Sequence, residues 1–434
     1  MDDFLALKFK SILDQFWKEH FSFWMICGYL FIEYVRPQSI YPALDILPWA
    51  QLFILLSFAG CLMDGSVKWV SDSTNKWMVI FSILIILSIA NATYPDIASE
   101  YIIDFFQWFV IYFLIINIVN SEKRFFIFLL IFLFASFKLS FSLAGRWASR
   151  GFSYTSWGLM GPPGYFQNSG ELAIQMLMFS PIAYQLMVGI KPRLTKFKYW
   201  MMLAMPITGA MTVMGTSSRG GQIGMAFQVI YTFFKGRLSI RNILLALGII
   251  TVGYWSLPDA QLERFSATGD DKTSQQRLLY WQHGVEMIRD HPWRGVGYFN
   301  FAPYYEDHYP KDMLYEQVEL PHNIFIQIGT DTGIPGLVVY LFLIYSGFKK
   351  TSEVRKLATK LPTGSFHSGL TRGFDTALLG FLIAGQFVTV GYYPFMWIHL
   401  AFVVCLKNIT LKQVPVRQQA FPFARRAKAQ HSAA

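Results

Sequence analysis

The clearest candidate for chemistry is His322, which stands in Pro321-His322-Asn323 where a long polar segment meets an apolar run. The flanking proline and asparagine place it at or near the N-terminus of a helix. The free backbone amides and the dipole of such an end favour anions and disfavour a positively charged imidazole. His322 is therefore a candidate general base, and an interfacial histidine without a chemical role is the alternative.

Arg219 is a candidate for binding an anionic group. It lies in the turn Gly215-Thr216-Ser217-Ser218-Arg219-Gly220-Gly221 between two apolar runs. The small neighbouring residues let a helix or a ligand approach the backbone closely. A guanidinium offers paired donors to phosphate or carboxylate oxygens, so we expect an anionic partner here, with a lipid head group as the alternative.

Arg277 is a second candidate of the same kind, within the polar segment 258–321. The pattern predicts an amphipathic helix that begins at a Thr273-Ser274 N-cap and ends at His291-Pro292. Its apolar face is predicted from residues spaced three and four apart: Leu278, Trp281, Val285 and Ile288. Arg277 lies beside that face, and a solvated helix position is the alternative.

Several polar residues near these three are further candidates for binding substrate. The segment from Gly145 to Gln167 is basic, aromatic and rich in turn residues, a mixture that suits a sugar or a phosphate but also suits a connecting loop. The predicted substrate-binding residues are Lys138, Arg146, Arg150, Asn168, Ser218 and Asn323.

Acidic residues give little sign of a metal site. The adjacent acid pairs of the polar segment are Asp270-Asp271 and Glu306-Asp307, and we interpret both as solvated turns. We therefore predict neither a metal nor another cofactor.

The elements that must position these residues are membrane helices. With 53% hydrophobic and only 15% charged residues, the chain is too apolar for a soluble protein of its length. Apolar runs suited to crossing a bilayer recur about twelve times. They lie near residues 20–35, 49–63, 77–92, 97–118, 125–143, 170–189, 199–214, 220–234, 242–257, 322–347, 374–390 and 393–408. The prediction is an all-α, multi-pass membrane protein.

The net charge of +10 is spread over short loops and a tail, which argues against a nucleic-acid partner. Basic residues concentrate in alternate loops, and the positive-inside rule places these inside the cell. They are Lys68 and Lys76; Lys191, Arg193, Lys196 and Lys198; Lys235, Arg237 and Arg241; those from Lys349 to Arg372; and Arg425, Arg426 and Lys428. This orientation puts the 258–321 segment outside. Cys27, Cys61 and Cys405 lie in apolar runs and imply no disulfide.

Five regions follow from these boundaries. Residues 1–19 are predicted to form an interfacial helix, because apolar side chains recur at helical spacing from Phe4 to Trp17. Residues 20–257 hold spans one to nine, 258–321 form the large outer loop, 322–408 hold spans ten to twelve, and 409–434 form a basic inner tail. The Gly333-Ile334-Pro335-Gly336 sequence is predicted to bend or break the tenth span.

Taken together, these fragments resemble the O-antigen ligase and polymerase superfamily across about residues 214–345. The resemblance depends on their order along the chain. They are Ser218-Arg219-Gly220-Gly221, Arg277 with Trp281, Asp290-His291-Pro292, Gly295-Val296-Gly297 with Asn300-Phe301, Pro321-His322-Asn323 and Thr332-Gly333-Ile334-Pro335-Gly336. Outside this region the chain is similar to the family only in having many spans.

The resemblance implies a glycosyltransferase of the bacterial inner membrane with a GT-C-like fold. Such an enzyme would transfer a glycan from undecaprenyl diphosphate, on the periplasmic face, to an acceptor hydroxyl. By position, Arg219 and Arg277 would hold the diphosphate and His322 would take the proton of the acceptor.

Three functions remain open from the sequence. A ligase would use lipid A core or a protein as acceptor, and a polymerase would extend the lipid-linked glycan itself. A lipid or polysaccharide transporter is the alternative that is not an enzyme. Two features argue against it: no internal repeat is evident, and the ionisable residues of the spans lie toward one leaflet. We favour the ligase.

Overall fold

The computed structural model describes residues 1–154, 157–234, 240–255, 259–266, 269 and 271–414. Every regular element in those residues is helical, as the sequence predicts. The tail arginines and lysine at 425, 426 and 428, together with Lys235, Arg237 and Asp270, lie outside the described residues.

The first 149 residues contain nine α-helices. They are α1 (Asp2–Leu5), α2 (Phe9–Trp17), α3 (Phe21–Val35), α4 (Pro37–Ile40), α5 (Trp49–Met63), α6 (Ser73–Ala90), α7 (Pro95–Glu100), α8 (Ile102–Ile118) and α9 (Glu122–Ser149). Those that follow are α10 (Ser169–Ile190), α11 (Lys196–Gly215), α12 (Arg219–Phe234), α13 (Ile240–Trp255), α14 (Asp259–Ser266), α15 (Lys272–Asp290), α16 (Phe301–His308), α17 (Ile324–Ala358), α18 (Gly364–Ala384) and α19 (Pro394–Gln413).

Each of the twelve predicted spans overlaps one of these helices. In the described part of the chain, seven stretches are long and apolar enough to cross a membrane. They are Pro42–Met63, Ser73–Ala90, Pro95–Ile118, Glu122–Ser149, Ser169–Arg193, Ile324–Ala358 and Pro394–Gln413. Of the others, α3, α12 and α13 have 15, 16 and 16 residues, fewer than the roughly 20 that a straight crossing needs. The count of twelve crossings therefore stays a prediction beyond these seven.

The N-terminal segment is two helices where the sequence suggests one. Leu7 takes a left-handed backbone conformation (φ 50°) between α1 and α2, which ends the first helix. Phe4 and Leu5 are buried, and the Phe4 ring meets Phe126 of α9 edge to face. Phe9 of α2, by contrast, is 73% exposed. Only the second helix keeps an exposed apolar side.

The helix connections gather at two ends of the bundle. At one end, Lys198 donates to the carbonyl of Ala6 (2.8 Å) and Lys123 donates to Gln15 (3.0 Å). At the same end, the buried Lys350 pairs with Asp72 (2.7 Å). These contacts bring together loops that the basic-residue pattern assigns to the inside.

The loops that the pattern assigns to the outside meet at the other end. There, Thr93 N donates to Val296 O (3.0 Å), and Leu159 N donates to Gly215 O (2.8 Å). The segment from 271 to 323 lies among them, with α15 packed against α17. The chain thus alternates between the two ends.

Helix α17 is broken where the glycine and proline sequence predicts. Gly333 has a left-handed conformation (φ 69°), and a Cβ there would meet the Pro292 carbonyl at 2.6 Å. The turn after α15 fills this break, since Ile334 N donates to Pro292 O (2.8 Å) and Val296 N donates to Thr330 O (2.7 Å). The prediction of a break is confirmed, and the break serves to fix the segment after α15 against α17.

Reporter fusions test the alternation. A periplasm-active reporter inserted after Tyr305 is expected to be active, whereas one inserted after Lys360, between α17 and α18, is expected to be silent, because basic loops stay inside. A cytoplasm-active reporter at the same two positions serves as the control and should give the opposite pattern. Activity of the first reporter at both positions would contradict the alternation.

Candidate active site

His322 is fixed at the start of α17 by its backbone. Asn323 is the N-cap, and its side chain accepts from Phe325 N (2.9 Å) and Ile326 N (3.2 Å). His322 precedes the cap in a left-handed conformation (φ 50°), and its amide donates to Thr389 Oγ1 (2.8 Å). The residue is therefore at the helix N-terminus, as predicted, with little freedom to leave it.

The imidazole of His322 faces Glu319. Nε2 and Glu319 Oε2 are 2.6 Å apart, so Nε2 carries the hydrogen and Nδ1 has the lone pair. Burial lowers the pKa of His322, the Glu319 hydrogen bond acts in the opposite direction, and the charge of Arg277 lowers it again. The net pKa lies below the ordinary value, which leaves a neutral ring at pH 7 that can accept a proton.

Helix α15 begins earlier than the Thr273-Ser274 prediction. Its N-cap is Asp271, whose carboxylate accepts from Ser274 N (3.1 Å) and from Ser274 Oγ (2.6 Å). Aspartate is a stronger cap than threonine and accepts two bonds here. The interpretation of Asp271 as a solvated turn residue is wrong, because the carboxylate is 31% exposed and fully engaged.

The buried face of α15 also differs from the predicted apolar face. The buried residues are Gln276, Tyr280, His283, Gly284 and Met287. Leu278 and Val285 are 55% and 57% exposed. Polar side chains of α15 are buried because they have hydrogen-bond partners inside the fold. His283 lies 2.8 Å from both Glu286 and Asp312, and the side chain of Gln276 accepts from Leu314 N.

Arg219, the first residue of α12, binds Asp271 through both ends of its guanidinium. Nη1 lies 3.1 Å from Oδ1 and Nη2 lies 3.3 Å from Oδ2. Nη2 also donates to Ser274 Oγ (3.2 Å). Partial burial would raise the pKa of Asp271, but the bonds from Arg219 and Ser274 outweigh it and lower the pKa to about 2. The expected anionic partner of Arg219 is thus the carboxylate of Asp271, in the 258–321 segment.

The sequence Gly220-Gly221 serves the approach of α12 to its neighbours. A Cβ on Gly221 would lie 2.5 Å from Cβ of Ala173 in α10. Ser218 accepts from the Gly221 amide (3.2 Å), and Ser217 donates to Gln261 of α14 (2.9 Å). Close helix contact and hydrogen bonds to the 258–321 segment together hold Arg219 in place.

Arg277 and His322 line one open cleft. Its other lining residues are Thr273, Gln276, Tyr280, Tyr315 and Glu319. The guanidinium of Arg277 makes no hydrogen bond or ion pair with another described residue, and its Nε is buried. Burial and the nearby Arg219 lower the pKa of Arg277, yet a guanidinium stays charged at neutral pH. The cleft therefore contains a positive charge with open donors, which suits an anion.

The other predicted substrate-binding residues have different surroundings. Asn168 caps α10 in a reciprocal arrangement with Glu171, and the side chains of Ser218 and Asn323 hold backbone amides. Lys138, Arg146 and Arg150 are exposed along or just beyond the second half of α9. Trp147 and Tyr154, which surround Arg150 in sequence, pack near the Gly215 turn. None of these residues lines the cleft of Arg277 and His322.

Two residues of the site are absent from the sequence prediction. Glu319 precedes His322 by three residues, and their side chains meet at 2.6 Å. Asp271 precedes Ser274 by three residues, the spacing of a capping pair. Both spacings can be seen in the sequence, but the neighbouring Pro321-His322-Asn323 and Thr273-Ser274 patterns are more conspicuous.

Comparison with known families finds one family model that matches part of the chain. Residues 186–341 match the family model described as O-antigen ligase, which confirms the resemblance seen in the sequence. The match contains Arg219, Arg277, Glu319 and His322. A search of curated proteins found no match.

The open guanidinium of Arg277 leads to a binding prediction. Geranyl diphosphate in detergent is expected to bind the protein, and Arg277→Gln should weaken that binding about 10- to 150-fold, the loss of one or two charge-assisted bonds. Isothermal titration calorimetry measures it. Arg289→Gln is the control, because Arg289 lies on the same helix and is 74% exposed. Unchanged affinity in the Arg277 variant would remove the anion site.

Proposed function

From the match of residues 186–341 to the O-antigen ligase family, we propose that the protein transfers a glycan from an undecaprenyl-diphosphate-linked donor to an acceptor hydroxyl. The acceptor is lipid A core or a protein. The family itself supports activity of the O-antigen ligase or polymerase type in a multi-pass membrane protein. The donor, the acceptor and the roles of individual residues are our proposal.

The observation that supports the proposal most strongly is that a cationic side chain and a neutral imidazole line the same cleft. The cation of Arg277 has open donors, the imidazole of His322 is neutral, and both line the same space. Arg219 lies beside the cleft and donates a hydrogen bond to Ser274 in the first turn of α15. An anion site beside a base is what transfer from a diphosphate to a hydroxyl requires.

The reaction balances with these groups alone. The acceptor oxygen forms a bond to C1 of the donor sugar while the bond from C1 to the diphosphate oxygen breaks. Its electron pair leaves with the diphosphate, whose growing negative charge is stabilised by Arg277 and Arg219. The hydroxyl proton moves to Nδ1 of His322. Because the arginines neutralise the leaving group, we propose that the reaction is independent of a metal and of any other cofactor.

The arrangement of the chain supports placing this cleft on the periplasmic face of the bacterial inner membrane. The cleft lies at the end of the bundle opposite Asp72, Lys198 and Lys350. Loops rich in basic residues stay in the cytoplasm. Membrane lipid surrounds the apolar helices, and we propose about twelve of these in a GT-C-like arrangement, with no nucleic-acid partner.

A polymerase that extends the lipid-linked glycan uses the same chemistry and is the second candidate. The family match favours both alike. The intermediate that accumulates on deletion separates them: a missing ligase leaves long lipid-linked chains, and a missing polymerase leaves single repeats. A transporter, the less favoured third reading, would leave product on the wrong side of the membrane.

Replacement of His322 tests the role of the base. In membranes from a deletion strain, which hold both donor and acceptor, we expect purified His322→Ala protein to transfer glycan at least about a hundredfold more slowly than wild type. Binding of geranyl diphosphate should be kept, since Arg277 provides it. Wild-type protein should remain active with EDTA present.

His308→Ala is the matched control, because His308 is an exposed histidine of the same outer segment. It should transfer at the wild-type rate. Full activity of the His322 variant would exclude this histidine as the base, and loss of geranyl diphosphate binding would move it to the anion site. Activity abolished by EDTA would exclude the metal-independent reaction.

A further inference from the structure

We propose that Glu319 is a positioning residue that orients His322 for proton transfer and stabilises the imidazolium that forms. The inference extends the proposed function and depends on His322 being its base. It rests on the 2.6 Å contact between Glu319 Oε2 and His322 Nε2 and on the way the chain fixes both residues.

The backbone between the two residues is held at successive points. Glu319 N donates to the hydroxyl of Tyr280 (3.0 Å), and the carbonyl of Pro321 accepts from Trp281 Nε1 (3.0 Å). His322 N donates to Thr389 Oγ1 (2.8 Å). Two of these partners are on α15 and the third follows α18, so two packed elements set the distance between the acid and the imidazole.

Such anchoring separates this pair from an ordinary exposed ion pair. The carboxylate of Glu319 is 73% exposed, and exposed pairs gain little stability because two mobile side chains must be ordered. Here hydrogen bonds to the main chain already fix both residues, and Pro321 restricts the backbone between them. The pair is better suited to setting an orientation than to stabilising the fold.

The charged and titratable groups around the pair favour an anionic Glu319. From α15 the cleft receives Arg277 and Tyr280, and Tyr315 faces it from the outer segment, while Arg219 and Asp271 neutralise each other nearby. The hydrogen bond from His322 lowers the pKa of Glu319, burial opposes this, and the charge of Arg277 lowers it further. Glu319 is therefore ionised at neutral pH.

An ionised Glu319 gives each imidazole nitrogen one task. Nε2–H donates to the carboxylate, so the ring is held in the tautomer whose Nδ1 lone pair is open to the acceptor hydroxyl. When Nδ1 takes that proton, the carboxylate stabilises the positive ring and stays deprotonated itself. Glu319 is a poor base on its own because its pKa is already low.

The same carboxylate opposes the leaving diphosphate. A negative group in a cleft that binds an anion weakens donor binding, and Arg277 offsets that effect only in part. Removing the charge should therefore slow turnover without weakening donor binding. Replacing a residue that only stabilised the fold would reduce both turnover and donor binding.

The test is Glu319→Gln in the deletion-strain membranes, with transfer measured from pH 5 to 8. A glutamine oxygen still accepts from Nε2, so the fold and tautomer are kept and only the charge is lost. We expect turnover at neutral pH to fall at least about tenfold, since the imidazolium loses its counter-charge. Geranyl diphosphate should bind as tightly as before or more tightly.

The pH profile gives a second readout. Transfer requires neutral His322, so the rate falls as pH drops through its pKa. The Glu319 carboxylate raises that pKa, and its removal should move the acid limb to lower pH. Glu316→Gln is the control, because Glu316 is an exposed acid of the same segment, and it should leave both the rate and the limb unchanged.

Combination with His322→Ala completes the design. If Glu319 acts through His322, adding Glu319→Gln to His322→Ala should slow transfer no further. A wild-type rate and an unshifted acid limb in Glu319→Gln would overturn the inference while leaving the proposed function intact. Weakened geranyl diphosphate binding would also overturn it. Full activity of His322→Ala would instead overturn the proposed base and the inference together.

Discussion

The site depends first on the two-pronged bond between Arg219 and Asp271. Arg219 begins α12, and Asp271 is the N-cap of α15 in the 258–321 segment. One carboxylate therefore accepts hydrogen bonds from both the guanidinium of Arg219 and the backbone amide of Ser274 in the first turn of α15. Because a helix is stiff, fixing its first residue against the membrane domain also fixes the position of Arg277 six residues later. Loss of this bond would leave the position of Arg277 in the cleft poorly fixed.

Helix α15 also controls the other half of the cleft. Tyr280 and Trp281 bind the main chain at Glu319 and Pro321, so the histidine and the arginine take their positions from the same helix. The C-terminal end of α15 is also fixed, because the turn that follows it packs into the break of α17 at Gly333. His322 and Arg277 are thus held by the same helix, which is itself fixed at both ends.

The sequence predicted those features that depend on local backbone chemistry. Asn323 as a helix start, the end of α15 at His291-Pro292 and the break at Gly333 all follow from residues that bond or restrict their own backbone. It failed where partners come from elsewhere. The buried face of α15 is polar because Asp312 and Leu314 bind His283 and Gln276, and the exposed Leu278 shows that hydrophobic periodicity alone misassigned that face. The side chains of Ser218, Asn168 and Asn323 accept hydrogen bonds from backbone amides two or three residues away, and substrate binding by these three residues stays a prediction.

The charges of the cleft determine how an anion must enter it. Arg219 and Asp271 cancel, as do Arg277 and Glu319, and His322 is neutral, so these five groups carry no net charge at pH 7. A diphosphate that approaches Arg219 competes with a carboxylate already bound to both ends of the guanidinium. At Arg277 it meets donors that no described residue uses. In the proposed reaction Arg277 is therefore the first contact for the diphosphate, and Arg219 adds its positive charge from beside the cleft while its bond to Asp271 keeps α15 in place.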